Sequence, residues 1–237
     1  MEEKGVPEGE LAGGKWYFAL TEGKGALLVK HQKNLGDIVV RKRIMQKGKM
    51  LNVFGLFRSM ESLYNYVISL PVEERDLYEV FDKNEDRKPY FDIDVKVSGE
   101  EKFVEQKLDE IFSELKTNLE KLLNTKKNGY RMYVSHGAGK RSGHVVLTGR
   151  YHSSNVEGKD LYDKVLMKLP EHLREYVDER VYSVRQNWRL LYCGKLGSKR
   201  PKILEKSSLE GNSSEKFSFS DFCESLVCNV KRVDYTN

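Results

Sequence analysis

Two aspartates, Asp92 and Asp94, stand one residue apart in KPYFDIDVK, residues 88–96. On an extended strand, positions i and i+2 share a face. The carboxylates therefore point one way, and Phe91, Ile93 and Val95 the other. Bare, such a pair repels and raises one pKa. A hard divalent cation removes that cost, because Mg²⁺ and Mn²⁺ favour carboxylate oxygen. GKRSGHVVL, residues 139–147, repeats the spacing: Lys140, Ser142 and His144 put an ammonium, a hydroxyl and an imidazole on one strand face. These are donors suited to phosphate oxygens. VDERVYSVRQNWRLLYCGKLGSKRP, residues 177–201, supplies Asp178 and then Arg189 and Lys195. Nucleotidyl transfer usually needs a third carboxylate, so that two ions about 3.5–4 Å apart sit on the attacking and leaving oxygens. Asp178 is the candidate. Taken singly, each stretch also reads as an ordinary polar edge or loop, and Asp-x-Asp equally serves a glycosyltransferase holding a nucleotide-sugar through Mn²⁺.

The periodicities that carry these residues alternate between strand and helix. Lys15–Leu20 and Ile38–Ile44 read as strands. Ser59 caps a predicted helix to about Leu70, before Pro71. Leu77–Phe81 and Lys88–Val97 are strands separated by DKNEDR. A long helix over about Glu100–Leu123 carries Phe103, Leu108, Ile111, Phe112, Leu115, Leu119 and Leu122 as a core stripe. After a turn at Asn128-Gly129, strands Tyr130–Val134 and Ser142–Thr148 flank GAGK. A helix near Lys159–Leu169 stops at Pro170. Val181–Val184 and Trp188–Cys193 are β-rich, SSLEGNSS (207–214) is a loop, and Phe219–Val230 reads as a closing helix. The pattern predicts α+β with a mixed or antiparallel sheet.

At 237 residues the chain suits one large domain or two joined lobes. Its +5 charge is mild, but Lys121–Val156 and Val181–Leu204 contain no acid, which suits a polyanion or a solvated basic surface. Three cysteines without a Cys-x-x-Cys pair argue for reduced thiols in an intracellular protein, against a disulfide frame or a zinc site. Residues 1–14 read as a flexible tail, neither secretory signal nor Arg-rich transit peptide. No apolar run approaches the roughly 20 residues that span a bilayer, so no membrane is expected. His31, His136, His152 and His172 show no ligand spacing and read as ordinary loop or surface residues.

In this order, the stretches resemble the archaeo-eukaryotic primase superfamily: an acidic hhhDhD/E motif, then Ser-x-His, then a third acid. The likeness is to its primase-polymerase (PrimPol) branch and the relatives in large DNA viruses. YEVFDKNEDRKPYFDIDV resembles the segment leading into that branch's metal motif, GKRSGHVV its Lys-x-Ser-x-His motif, and VDERVYSVRQNWRLLYCGK its Asp and Asn-aromatic-Arg motif. FCESLVCNV, residues 222–230, resembles the segment closing the catalytic core, and the whole spans about residues 48–230. The resemblance implies an RRM-like mixed sheet with flanking helices plus an N-terminal α/β lobe, about 15–75, with the metal and nucleotide site in about 76–237. Asp92, Asp94 and Asp178 would hold two Mg²⁺ or Mn²⁺ ions. Lys140, Ser142, His144, Arg189 and Lys195 would bind the nucleotide's phosphates, with Tyr78 near its sugar. Lys49 loosely matches a template-side arginine; Arg141, Lys199 and Arg200 join it as nucleic-acid contacts. Two departures are Asp94, where the family often has Glu, and Gln186, where it has a further arginine.

The implied function is template-directed nucleotidyl transfer, as primase or DNA polymerase, on single-stranded or primed DNA. Implied partners are DNA template and primer, nucleoside triphosphates, and replication proteins such as a single-strand-binding protein or helicase. The protein would act as a monomer, in nucleus or mitochondrion if cellular and at the host replication site if viral. The family's Cys/His zinc module has no counterpart here, so no zinc is expected. Two other readings stay open: a nucleic-acid-binding module with a vestigial site, and a metal-dependent nuclease using the same carboxylates.

Overall fold

The computed structural model describes residues 15–18, 38–96, 101–123, 129–183, 185–205 and 217–230. The expected tail over 1–14, the loop 207–214, Asn128 of the turn and the last residues of the Lys15–Leu20 and Lys88–Val97 strands lie outside them. In chain order the elements are β1 (Lys15–Phe18), β2 (Ile38–Gln46), β3 (Lys49–Phe57), α1 (Met60–Ser69), β4 (Leu77–Asp82), β5 (Tyr90–Lys96), α2 (Glu101–Leu123), β6 (Tyr130–Val134), β7 (Lys140–Leu147), α3 (Asn155–Lys168), α4 (Glu171–Arg174), β8 (Arg185–Arg189), β9 (Ile203–Leu204) and α5 (Phe219–Ser225). The class is α+β. Two sheets form, ordered β1-β3-β2-β4-β8 and β5-β7-β6-β9. Among the described residues every strand pairing is antiparallel, where the expectation admitted a mixed sheet. The described residues form two compact units, each holding one sheet: those within 1–82, 185–202 and 215–226, and those within 83–184, 203–214 and 227–237.

In the first unit, β2 and β3 meet at Lys47-Gly48, both at positive φ (49° and 71°), the conformation that a two-residue hairpin turn demands. β3 escapes the sequence reading because Lys-Gly is a weak hairpin signal and Gly55 interrupts the strand's pattern. The sheet needs that glycine: a Cβ there would lie 2.9 Å from the Trp16 ring, which crosses β3. Helix α1 starts as expected, with Ser59 Oγ accepting the Ser62 N–H at 3.1 Å. It buries Leu63, Tyr64, Tyr66 and Val67. Tyr66 meets Trp16 and Phe57 with ring centroids 5.6 and 5.5 Å apart. α5 adds Phe219 and Phe222 against Tyr64.

In the second unit, α2 covers the sheet face of Ile93, Gly143 and Val145. Leu108, Phe112, Leu115 and Leu119 are buried along it, as the stripe predicts. Phe112 approaches so closely that a Cβ on Gly143 would lie 3.1 Å from its ring. Arg141 stands on this covered face and pairs with Glu105 and Asp109 of α2, each at 2.6 Å. The opposite face carries Asp92, Asp94, Ser142 and His144.

Two differences from expectation concern residues 152–182. Val181 and Tyr182 lie in a 3-10 turn, Glu179–Tyr182, because the Asp178 side chain accepts the Arg180 N–H and caps it. His152 is buried, not a surface residue: it exchanges backbone hydrogen bonds with Arg87 (2.9 and 3.0 Å), and its Nδ1 lies 2.7 Å from the Ser154 carbonyl.

Burial pushes the His152 pKa down, and the nearby Arg87 charge adds to it. The unfolded chain therefore binds this proton more readily than the fold. The contribution is fully present above about pH 6.5 and fades as pH falls through the lowered value. His152→Gln is expected to flatten the stability–pH curve below about pH 6.5; urea midpoints at several pH values check it.

The same imidazole fixes Gly158 of α3. A Cβ there would sit 2.6 Å from His152 Cε1 and 3.1 Å from the Tyr182 ring. Gly→Ala inside a helix ordinarily stabilises by up to about 1 kcal/mol. Gly158→Ala should instead destabilise, by about 1–3 kcal/mol, since overpacking outweighs propensity. A raised unfolding midpoint would refute this.

Among the described residues, no helix is long and apolar enough to cross a membrane.

Candidate active site

The second unit's sheet gathers six of the sequence-predicted residues. In the β5–β7 ladder, Asp92 pairs with His144, Asp94 with Ser142 and Lys96 with Lys140. Alternation then sets these side chains on one face, while Phe91, Ile93 and Val95 go into the core. Asp178 arrives from the other edge of β5. Val177 bridges Ile93, the Asp178 N–H donates to the Asp92 carbonyl at 2.8 Å, and the Asp94 N–H donates to the Tyr176 carbonyl at 2.9 Å. Asp178 thus stands beside Asp92 on the polar face, although 86 residues of sequence separate them.

Three tyrosine hydroxyls hold the segment that bears Asp178. Tyr162 donates to the Val177 carbonyl at 2.9 Å, Tyr90 to the Val181 carbonyl at 2.6 Å, and Tyr182 back to the Tyr90 carbonyl. Burial raises the Tyr162 pKa to about 12 and lifts that of Tyr182 well above its ordinary value, so both hydroxyls keep the proton they donate. Single-strand periodicity carries no signal for this arrangement, because the three tyrosines belong to distant segments.

Each carboxylate is met by a cation or donor of the chain itself. Lys140 Nζ lies 2.7 and 2.8 Å from the two oxygens of Asp94, and Ser142 Oγ donates to the same carboxylate at 2.8 Å. His144 Nε2 is 3.5 Å from Asp92 Oδ1. Arg180 grips Asp178 with Nε and Nη2 at 2.9 and 2.8 Å. That fork holds the Asp178 carboxyl below the usual carboxylate range. Arg180 is the site residue that sequence reasoning missed; its position two residues after a capping Asp is the one available signal.

Among the described residues, no three His, Cys, Asp or Glu side chains surround one point as a metal would require. The donor set itself fits a hard divalent ion: three carboxylates on one face, each between a fifth and a third exposed. Turning them onto an ion requires Arg180, 89% exposed, to release Asp178. Replacing it with neutral Gln removes that competing charge. Arg180→Gln should therefore tighten Mn²⁺ binding, read by paramagnetic titration without substrate. Weakened Mn²⁺ binding would show that Arg180 does not compete.

The remaining candidates divide differently. Tyr78 and Arg189 face each other across β4 and β8 in the first unit. Lys195, Lys199 and Arg200 are exposed in the loop after β8, and Lys49 is exposed at the β2–β3 turn. Arg141 is not with the carboxylates; its guanidinium is engaged by Glu105 and Asp109. No family model matches this chain, and no curated protein does.

Proposed function

We propose that the protein is a metal-dependent nucleotidyltransferase of the primase-polymerase type, extending DNA on a template with nucleoside triphosphates. The observation that supports this reading is the shared face of Asp92, Asp94 and Asp178 beside Ser142, His144 and Lys140. Asp92, Asp94 and Asp178 would hold two Mg²⁺ or Mn²⁺ ions, which neutralise charge on the phosphates and make the attacking 3′-hydroxyl more acidic. Ser142 Oγ and Lys140 Nζ are donors that can turn from Asp94 to phosphate oxygens. His144 is a third donor on the adjacent row, and the low pKa of Asp178 keeps its carboxylate ionised. On the same reading, Arg189 and Lys195 bind the triphosphate and Tyr78 meets the sugar. The resemblance in motif order extends the proposal to a primase-type catalytic core, with DNA template and primer as partners.

The internal pairing of Asp94 and Asp178 also suits the second reading, a nucleic-acid-binding module whose site no longer turns over. One assay separates the possibilities: a labelled primer on a single-stranded DNA template, with each nucleoside triphosphate, in Mg²⁺ and in Mn²⁺. Metal-dependent lengthening supports the transferase. Binding with an unchanged primer supports the module, and a shortened primer supports a nuclease.

A further inference from the structure

In the first unit's sheet, Arg41 of β2 lies opposite Tyr78 of β4, and Tyr78 opposite Arg189 of β8. The three side chains form one row, on the face opposite Trp16 and Phe57. The Arg41 guanidinium carbon sits 4.2 Å from the Tyr78 ring centroid, and that of Arg189 5.8 Å from it. The Nε–H of each arginine is buried and donates to no acceptor. Neither guanidinium is paired with a carboxylate among the described residues. Asp76, which attracts Arg41, is already committed: Arg43 takes both its oxygens at 2.7 Å, and the Leu196 N–H donates to it as well. Burial and the neighbouring Arg43 charge both act against the charged form of Arg41.

Two partly desolvated cations on one ring, with no carboxylate paired to either among the described residues, are costly to stability. Such a cost is characteristic of a site kept for a ligand. We propose that Arg41 and Arg189, held on either side of Tyr78, form an oxyanion clamp for the polyphosphate of a nucleotide. A guanidinium fork gives paired N–H donors to phosphate oxygens. Two forks on one tyrosine suit a compact ligand with several adjacent charges better than a phosphodiester strand, whose charges are spread one per nucleotide. In identifying the ligand as a nucleoside triphosphate the inference rests on the reading above; Arg41 is its new member.

The test is calorimetric titration, with chelator present, of inorganic tripolyphosphate, a deoxynucleoside triphosphate and single-stranded oligothymidylate. The proteins are wild type, Arg41→Gln, Arg41→Lys, Arg189→Gln and the double Gln variant. Arg41→Gln is expected to weaken both polyphosphates about tenfold or more, and to change oligothymidylate affinity by less than about twofold. Arg41→Lys should recover part of the loss. The double variant should lose less than the product of the singles, because both forks grip one anion. The unfolding midpoint of Arg41→Gln should equal or exceed wild type, which a structural arginine would not allow. Unchanged tripolyphosphate affinity, losses that multiply, or an equal loss for oligothymidylate would overturn the clamp. A wild-type protein that binds tripolyphosphate through Arg41 yet never extends a primer would sink the nucleotidyl-transfer reading and keep the clamp. Extension together with an Arg41→Gln variant that binds triphosphate normally would do the reverse.

Discussion

Asp92→Asn is expected to abolish nucleotide incorporation, by about a thousandfold or more, without loss of fold. Asp92 shares a strand face with Asp94, and its backbone carbonyl accepts the Asp178 N–H. An amide keeps the size and that backbone bond but withdraws the charge a divalent ion needs. It also relieves repulsion between neighbouring carboxylates, so the unfolding midpoint should stay level or rise. Asp178→Ala should lose incorporation to a similar degree, although it also removes the cap on Arg180 N. Single-nucleotide incorporation rates and thermal melts, measured on the same preparations, read both halves of the prediction. Wild-type rates in either variant would end the two-ion assignment.

Phe91→Ala should do the opposite: destabilise the fold while touching no donor. Phe91 is fully buried beneath the strand that carries Asp92, and its ring stacks on Tyr162 of α3 at 6.4 Å. Truncating a buried Phe costs about 3–5 kcal/mol through lost transfer energy and the cavity left behind. That is a large part of the roughly 5–15 kcal/mol that holds a domain together. Tyr162 also donates to Val177, so the cavity opens beside the segment that bears Asp178. The expected readout is a much lower urea midpoint with an unchanged slope. A loss under about 1 kcal/mol would mean that the strand is anchored elsewhere.

These two variants mark what the sequence makes visible. Strand alternation alone separates Asp92 and Asp94 from Phe91, Ile93 and Val95, and the Ser-x-His spacing does the same on β7. Helix α1 follows from Ser59 and Pro71, and α2 from its stripe. What sequence cannot reveal is pairing at a distance. Asp178 becomes a neighbour of Asp92 through backbone hydrogen bonds that no local pattern encodes, and its occupation by Arg180 depends on a side-chain rotamer. β3 was hidden by a lysine at a turn position that usually favours Asn or Asp. His152 looked like a loop residue because its burial comes from Arg87 and Gly158, which lie outside its own segment.

The division of the chain into units has a consequence for biosynthesis. The first unit's sheet is incomplete until β8 joins β4, and its helix α1 lacks Phe219 and Phe222 until α5 has been made. The second needs β9 beside β6, and the Val227 carbonyl accepts the Lys88 N–H. Neither unit can therefore be finished before the segments from 185 onward have been made. Both close only once residues 219–227 have been made, so the segments made earlier carry unpaired strand edges until then and need protection from aggregation during that interval.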